Sequence, residues 1–257
     1  MQCEIEKASL WKRFAAALLD LILVVIIVTG MFATLAGIFQ FDSHLDKMEE
    51  VYNRYTAEYQ LDPDMTEEKW EAMPEAERNA YNERQDAANK ALQTNQADMQ
   101  IYVDVMVALL LIITVAVLVA MLLLEFVVPL LFGNGQTVGK KIFSLCVVRQ
   151  DSVRIKPLQL FVRTIIGRFA IETMIPVCVA IMYFMGFMNL FTLLLLAALV
   201  IAEIAILIVT KNNCMLHDLM AGTAVADYSC QRIFYCTEDM VEYQKKLEAE
   251  RENRKNY

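Results

Sequence analysis

The sequence predicts an all-α protein, namely a polytopic membrane helical bundle with four transmembrane helices and an extracytoplasmic helical hairpin. The chain has 257 residues, of which 57% are hydrophobic, and its mean hydropathy is +0.40. Residues 105–124 and 173–202 contain no charged side chain. Because about 20 apolar residues are enough to cross a hydrocarbon layer of roughly 30 Å, runs of this length indicate membrane spans.

Charge is distributed unevenly between the polar segments. Residues 41–100 carry 6 Lys or Arg against 15 Asp or Glu, a net charge of −9. Residues 133–168 carry 7 basic residues against 1 acidic residue, a net charge of +6. Because short basic loops stay in the cytoplasm, this asymmetry predicts an orientation in the cell membrane, and it gives no indication of nucleic-acid binding.

Residues 1–41 are predicted to form a cytoplasmic N-terminus and the first transmembrane helix. The apolar run from Phe14 to Phe41 follows Lys7, Lys12 and Arg13, so its amino end is expected to lie inside. The run is too long for the hydrophobic region of a signal peptide and contains Asp20.

Residues 42–100 are predicted to be an acidic, helical extracytoplasmic insertion. Apolar and tyrosine residues at helical spacing suggest that the first helix continues to about Gln60, before a break at 62–64. Thr66 is placed to cap a short helix, and Pro74 can open another helix that leads to the second span. An antiparallel hairpin is the favoured interpretation, and a partly disordered acidic loop is the alternative.

Residues 101–132 are predicted to form the second transmembrane helix, interrupted by Glu125 and Pro129 and ended by Gly133. Residues 133–168 form a basic cytoplasmic or interfacial segment. Within that segment, 142–148 resembles a strand, and the apolar spacing after Pro157 predicts a helix at the membrane surface.

Residues 169–210 are predicted to contain the third and fourth transmembrane helices. A single helix of this length would extend about 63 Å, about twice the membrane thickness. Two helices with a turn near Gly186–Asn189 fit better. Residues 211–257 then form a cytoplasmic tail, so both termini lie inside.

Cysteine usage agrees with this topology. The acidic segment 41–100 contains none of the six cysteines, so no disulfide framework is expected. Cys230 and Cys236 are only a weak indication of a metal site, since the chain has two histidines.

Ionisable side chains within spans are costly and normally face protein or water. Glu172 follows Arg168 by four residues, which predicts an ion pair on one helix face. Glu203 either reaches the cytoplasmic surface or lines a cavity.

Asp20 lies seven residues after Arg13, roughly 10 Å deeper along the same face, too far for a direct ion pair. It is either an ion- or proton-binding carboxylate or a buried link between helices. Arg13 is expected to contact Asp218, or Asp20 through a side chain of another helix.

Three sequence segments together resemble the RDD family of membrane proteins. The run WKRFAAALLDLILVVII contains Arg13 and Asp20. The run LLEFVVPLLFGNGQTVGKKIFSLCVVRQD is similar to the family's glycine–lysine segment, and LHDLMAGTAVAD contains Asp218. Arg13, Asp20 and Asp218 match the arginine and two aspartates that name the family, and the resemblance covers 8–40 and 120–227.

The resemblance implies a small membrane bundle, with some members linked to ion transport, including sodium/proton exchange. It implies no catalytic residue, cofactor or metal, and the chain shows no pattern of enzyme residues. Two functions remain open. One is proton-coupled transport of a small cation by Asp20 with Glu125 and Glu203. The other is a membrane scaffold or accessory subunit, as a homo-oligomer or bound to a membrane protein through the hairpin or the tail.

Overall fold

The structure is a computed structural model, and it describes residues 5–184 and 190–255. It is mostly helical, with three helices long and apolar enough to cross a membrane: Leu10–Ile38, Gln96–Phe132 and Pro157–Tyr183. A shorter apolar helix covers Leu193–Val209. The predicted turn at Gly186–Asn189 lies outside the described residues. The chain divides into two compact units, residues 1–31 with 114–257, and residues 32–113.

The first unit contains most of the first helix, α1 (Leu10–Ile38), and the described helices and strands that follow residue 113. In chain order after α1 and the later part of α5 (Gln96–Met121), they are π1 (Leu122–Val127), α6 (Val128–Phe132), α7 (Val138–Ile142), β1 (Leu145–Arg149), α8 (Pro157–Phe161), π2 (Val162–Met174), α9 (Ile175–Phe184), α10 (Leu190–Val209), α11 (Leu216–Ala221) and β2 (Thr223–Asp227). A further helix, α12 (Thr237–Lys255), follows β2.

The second unit holds the acidic helices. These are α2 (Phe41–Glu58), α3 (Glu67–Ala72) and α4 (Glu75–Thr94), and α2 contacts α4. Thr66 caps α3 by accepting a hydrogen bond from the Lys69 N–H, and Pro74 precedes α4, as the sequence predicted. The prediction that the first helix runs unbroken to Gln60 is wrong, because Gln40 adopts a left-handed conformation (φ 50°) between α1 and α2.

The predicted strand near 142–148 is present as β1, which pairs antiparallel with β2. Residue Lys7 forms a bridge to Ala226, so the chain at Lys7 lies along the free side of β2. The sheet is buried and packs with α1 and α8 through a cluster of apolar residues: Ala8, Ala16, Leu145, Val147, Ile155, Leu160 and Val225. We call residues 5–9, 133–156 and 211–234 together the polar cap.

The helix predicted at the membrane surface after Pro157 continues directly into an apolar helix. α8, π2 and α9 follow one another without a gap from Pro157 to Phe184. Arg163 and Arg168, assigned by sequence to the surface helix, are therefore carried by one of the three long apolar helices, and Arg163 is only 6% exposed.

Candidate functional site: a buried ionic cluster

The Asp20 carboxylate of α1 lies at the N-terminus of α7. Its Oδ2 accepts a hydrogen bond from the Thr137 hydroxyl at 2.5 Å, and its Oδ1 accepts one from the Gly139 N–H at 2.8 Å. The side chain is buried. Because free N–H groups at a helix start favour a nearby anion, Asp20 serves there as a link between α1 and α7.

Gly139 allows α7 to approach α1 at backbone distance. A Cβ atom at this position would lie 2.2 Å from the Ala16 carbonyl oxygen and 2.9 Å from Asp20 Oδ1. No side chain can be accommodated without moving α7 away from Asp20.

Lys140 connects Asp20 to the second long helix. Its Nζ lies 3.8 Å from Asp20 Oδ2 and 3.9 Å from Glu125 Oε2. Glu125 also forms an ion pair with Arg168 of π2. Four elements, α1, π1, α7 and π2, are therefore joined through two carboxylates and two cations.

Pro129 frees a backbone acceptor, as expected of a proline inside a helix. It cannot donate to the Glu125 carbonyl, and that carbonyl instead accepts a hydrogen bond from the Thr164 hydroxyl at 3.0 Å. This hydrogen bond links the second long apolar helix to π2.

Asp218 is shared by two guanidinium groups, as the sequence predicted for Arg13. Arg163 Nε lies 3.0 Å from Asp218 Oδ1, and an Arg13 terminal nitrogen lies 3.7 Å from Oδ2. The Thr223 hydroxyl donates to Oδ1 at 3.1 Å. Burial acts to raise the pKa of Asp218, but the charges of Arg163, His217 and Arg13 outweigh it and lower the pKa to about 2.

His217 lies between the Glu172 carboxylate and the Arg163 guanidinium. Its Nδ1 is 2.7 Å from Glu172 Oε2, and its Nε2 is 3.1 Å from an Arg163 nitrogen. Gly167 permits this approach, since a Cβ there would lie 2.6 Å from His217 Cβ.

The predicted Arg168–Glu172 pair is wrong. Glu172 pairs with His217, and Arg168 pairs with Glu125. Each side chain instead reaches a partner on another element, since Glu125 lies in π1 and His217 lies in α11.

The cluster contains four basic and four acidic side chains, with His217 as a ninth member. They are Arg13, Lys140, Arg163, Arg168, Asp20, Glu125, Glu172 and Asp218. Four predicted candidates, Arg13, Asp20, Glu125 and Asp218, are thus brought together. Glu203 is not part of these ion pairs. It lies in α10, and its buried Oε1 has no hydrogen-bond partner among the described residues.

Sequence reasoning missed the roles of Lys140, Arg163 and His217. The arginines were assigned to a polar surface because their spacing fits an amphipathic helix. For Lys140 one available signal was the preceding glycine, Gly139, and Gly167 likewise precedes Arg168.

A cavity of about 600 Å³ opens beside the cluster. Five charged side chains line it, together with His217 and apolar residues of α1, α10 and the cap. The charged ones are Arg13, Lys140, Arg163, Arg168 and Glu172. Within the described part of the chain, no group of three or more His, Cys, Asp or Glu side chains is placed to hold a metal ion.

The family model of the RDD family matches residues 7–222, which is most of the chain and includes every member of the ionic cluster. The chain belongs to the RDD family. No curated protein and no solved structure matches this RDD-family chain. Arg13, Asp20 and Asp218, which carried the resemblance, all lie in the cluster.

Replacing Gly139 by alanine in this RDD-family protein is expected to destabilise it by roughly 1–3 kcal/mol, because the new methyl group overlaps the Ala16 carbonyl. Thermal unfolding of the purified protein in detergent measures the change. Gly30→Ala is the matched control: a Cβ at Gly30 meets nothing within 4 Å, so that variant is expected to be as stable as the parent or more stable. Equal stability of the two variants would contradict the close contact between α7 and α1.

Asp218→Asn is expected to cost roughly 3–5 kcal/mol of stability, since it leaves two buried guanidinium groups without their carboxylate. Arg13→Gln should cost less, because Arg163 still pairs with Asp218. In the double variant the loss from Arg13→Gln should shrink, and strictly additive losses would argue against a shared contact.

The pH dependence of stability is a second measurement of the contribution of Asp218. The folded pKa of Asp218 is depressed, so its contribution is complete above its ordinary value of 3.8 and disappears as the pH falls toward about 2. Asp218→Asn should lack this part of the acid-induced loss.

Proposed function

We propose that this RDD-family protein is a non-catalytic membrane scaffold or accessory subunit of the cell membrane, with four spans and both termini in the cytoplasm. The observation that carries the proposal is that the carboxylates of the ionic cluster already have partners within the same chain. Asp20, Glu125 and Asp218 are buried and engaged by cations or hydrogen-bond donors of the same chain. A carboxylate that exchanges small cations needs free coordinating oxygens and water, whereas these groups are built as structural links.

Contacts within the polar cap support the proposed topology. The Asp227 N–H donates to the Glu6 carbonyl at 3.0 Å, and Lys12 Nζ lies 2.6 Å from Asp227 Oδ2. β1 of the basic segment pairs with β2, which follows the last apolar helix. The N-terminus, the basic segment and the start of the tail therefore lie on one side, and the positive-inside rule assigns that side to the cytoplasm.

Because the three segments of the polar cap contact one another, the chain is expected to cross the membrane an even number of times between one segment and the next. The chain between 156 and 211 leaves the cap through α8, π2 and α9 and returns through α10. α10 has 20 residues, which correspond to about 30 Å of helix, long enough for a fourth span.

We assign partner binding to the second unit, which holds the acidic helices. In this proposal α2 and α4 form an extracytoplasmic helical hairpin. The second unit has its own internal contacts: Arg54 pairs with Asp98, and the Tyr55 hydroxyl donates to Asp98 at 2.9 Å. With a net charge of −9 over 41–100, it suits a partner with a basic surface, either a membrane protein or the basic part of a second copy.

Proton-coupled transport of a small cation is the second candidate, and Glu203 is the observation that favours it. Its Oε1 is buried without a hydrogen-bond partner among the described residues. An unpaired carboxylate in an apolar helix is costly, and such groups often mark an ion or proton path.

Impermeant thiol labelling of intact cells tests the topology. Cys230 is exposed on the cap and should stay unlabelled, while a cysteine placed at exposed Gln85 of α4 should react. Permeabilised cells provide the control, in which Cys230 should react as well. Labelling of Cys230 in intact cells would overturn the cytoplasmic assignment.

Flux assays in proteoliposomes separate the two functions. If the protein is a scaffold, imposed sodium and pH gradients should dissipate no faster in its proteoliposomes than in empty vesicles. In a separate experiment, a photo-crosslinker placed at Gln85 should join the chain to one defined protein or to a second copy. Saturable, pH-dependent cation flux that Glu203→Gln abolishes would refute the scaffold and support transport. Asp20→Asn with unchanged flux would then exclude Asp20 as the coupling group.

A further inference from the structure

The cavity beside the ionic cluster has a polar end and an apolar end. The polar end is formed by the basic side chains of α1, α7 and π2. The apolar end is formed by Leu10, Trp11 and Phe14 at the start of α1 with Leu207 near the end of α10. We propose that this cavity binds an anionic phospholipid, with the phosphate at the basic end and an acyl chain along α1.

The cavity wall carries a surplus of positive charge although the cluster as a whole is neutral. Arg13, Lys140, Arg163 and Arg168 line the cavity, whereas Glu172 is the only one of the four cluster carboxylates that does so. The side chains of Asp20, Glu125 and Asp218 are 0–5% exposed and lie behind the cations. An anion in the cavity therefore meets four cations and one carboxylate, which His217 already engages.

Donors remain for a phosphate because guanidinium groups have more N–H bonds than the cluster uses. Each guanidinium has five N–H donors. Arg13 directs one terminal nitrogen to the Asn213 carbonyl and the other to Asp218. Arg168 is the most exposed cation of the cluster, with 24% of its side chain accessible, and it pairs with Glu125 through one nitrogen. Arginine forks match phosphate oxygens well, so the remaining donors suit a phosphodiester.

The apolar end distinguishes a lipid from a free anion. Trp11 is 81% exposed, Phe14 is 63% exposed and Leu10 is 52% exposed, and all three belong to a helix long enough to span the membrane. These side chains would meet acyl chains in a bilayer, and tryptophan favours the boundary between headgroups and hydrocarbon. A free phosphate would leave this half of the cavity unused.

The depth of the cavity fits a headgroup. It lies where α1 begins at Leu10 and α10 ends at Val209, next to the polar cap. Charged groups of a lipid stay at this level while the chains extend into the bilayer. The bound lipid belongs to the leaflet that faces the cap, whatever function the protein performs.

Native mass spectrometry tests the proposal on the full chain. The protein is purified from nanodiscs of equal parts phosphatidylglycerol and phosphatidylcholine and is then delipidated with detergent. We expect one phosphatidylglycerol per chain to remain, with retention over phosphatidylcholine of about ten-fold or more, a preference that one good charge-assisted contact can provide.

Three variants locate the bound lipid. Phe14→Ala removes an exposed wall of the apolar end and should lower phosphatidylglycerol retention several-fold, while Leu18→Ala, one turn further along α1 and outside the cavity lining, should not change it. The double variant Arg168→Gln with Glu125→Gln removes a cation of the cavity wall together with its partner, so no buried charge is left unpaired, and it should lower retention about ten-fold.

The outcomes that overturn the proposal are equally specific. Equal retention of the two lipids would refute a phosphate-selective site. Equal loss in Phe14→Ala and Leu18→Ala would mean that the lipid lies elsewhere on α1. Inorganic phosphate that stabilises the delipidated protein as strongly as phosphatidylglycerol would assign the site to a free anion.

Discussion

The contact between the Asp20 carboxylate and the start of α7 determines how the polar cap is attached to the membrane helices. Burying a carboxylate within a span is unfavourable unless donors replace the lost water. The Thr137 hydroxyl, the Gly139 N–H and the nearby Lys140 ammonium supply them. Because α7 leads directly to β1, and β1 pairs with β2, this one contact orders the sheet relative to α1.

The other ion pairs of the cluster likewise give buried charges a partner, and they lie across the first unit. Lys140 is shared by two carboxylates, and Asp218 is shared by two guanidinium groups. Removing Asp218, for example, leaves two guanidinium groups without their carboxylate, which costs more than the pair itself contributes. The ion pairs of the cluster therefore serve in the first place to hold the elements of the first unit together. The imidazole of His217 is held within the cluster between Glu172 and Arg163.

The arrangement of charges also explains how a neutral cluster can present a positive surface. The carboxylates of Asp20, Glu125 and Asp218 are enclosed, while the guanidinium groups reach past them to the cavity. Long arginine side chains permit this, since one end of the planar group can pair with a carboxylate while the other N–H groups face outward. The same geometry disfavours binding of small cations there and favours an anion.

The sequence by itself determined the membrane class, the long apolar helices, the acidic and basic segments, the caps at Thr66 and Pro74 and the Arg13–Asp218 contact. These depend on local composition, on the period of apolar residues and on the family motifs. The break at Gln40, the partners of Glu172 and Arg168 and the occupant of the Glu125 carbonyl were decided by tertiary structure alone. Gln40 carries no proline or glycine signal, and Glu172 and Arg168 find their partners on other elements. Several ion pairs join residues 40 or more positions apart, such as Glu125 with Arg168 and Asp20 with Lys140. Sequence spacing describes neighbours along one helix, whereas these contacts depend on how separate helices pack.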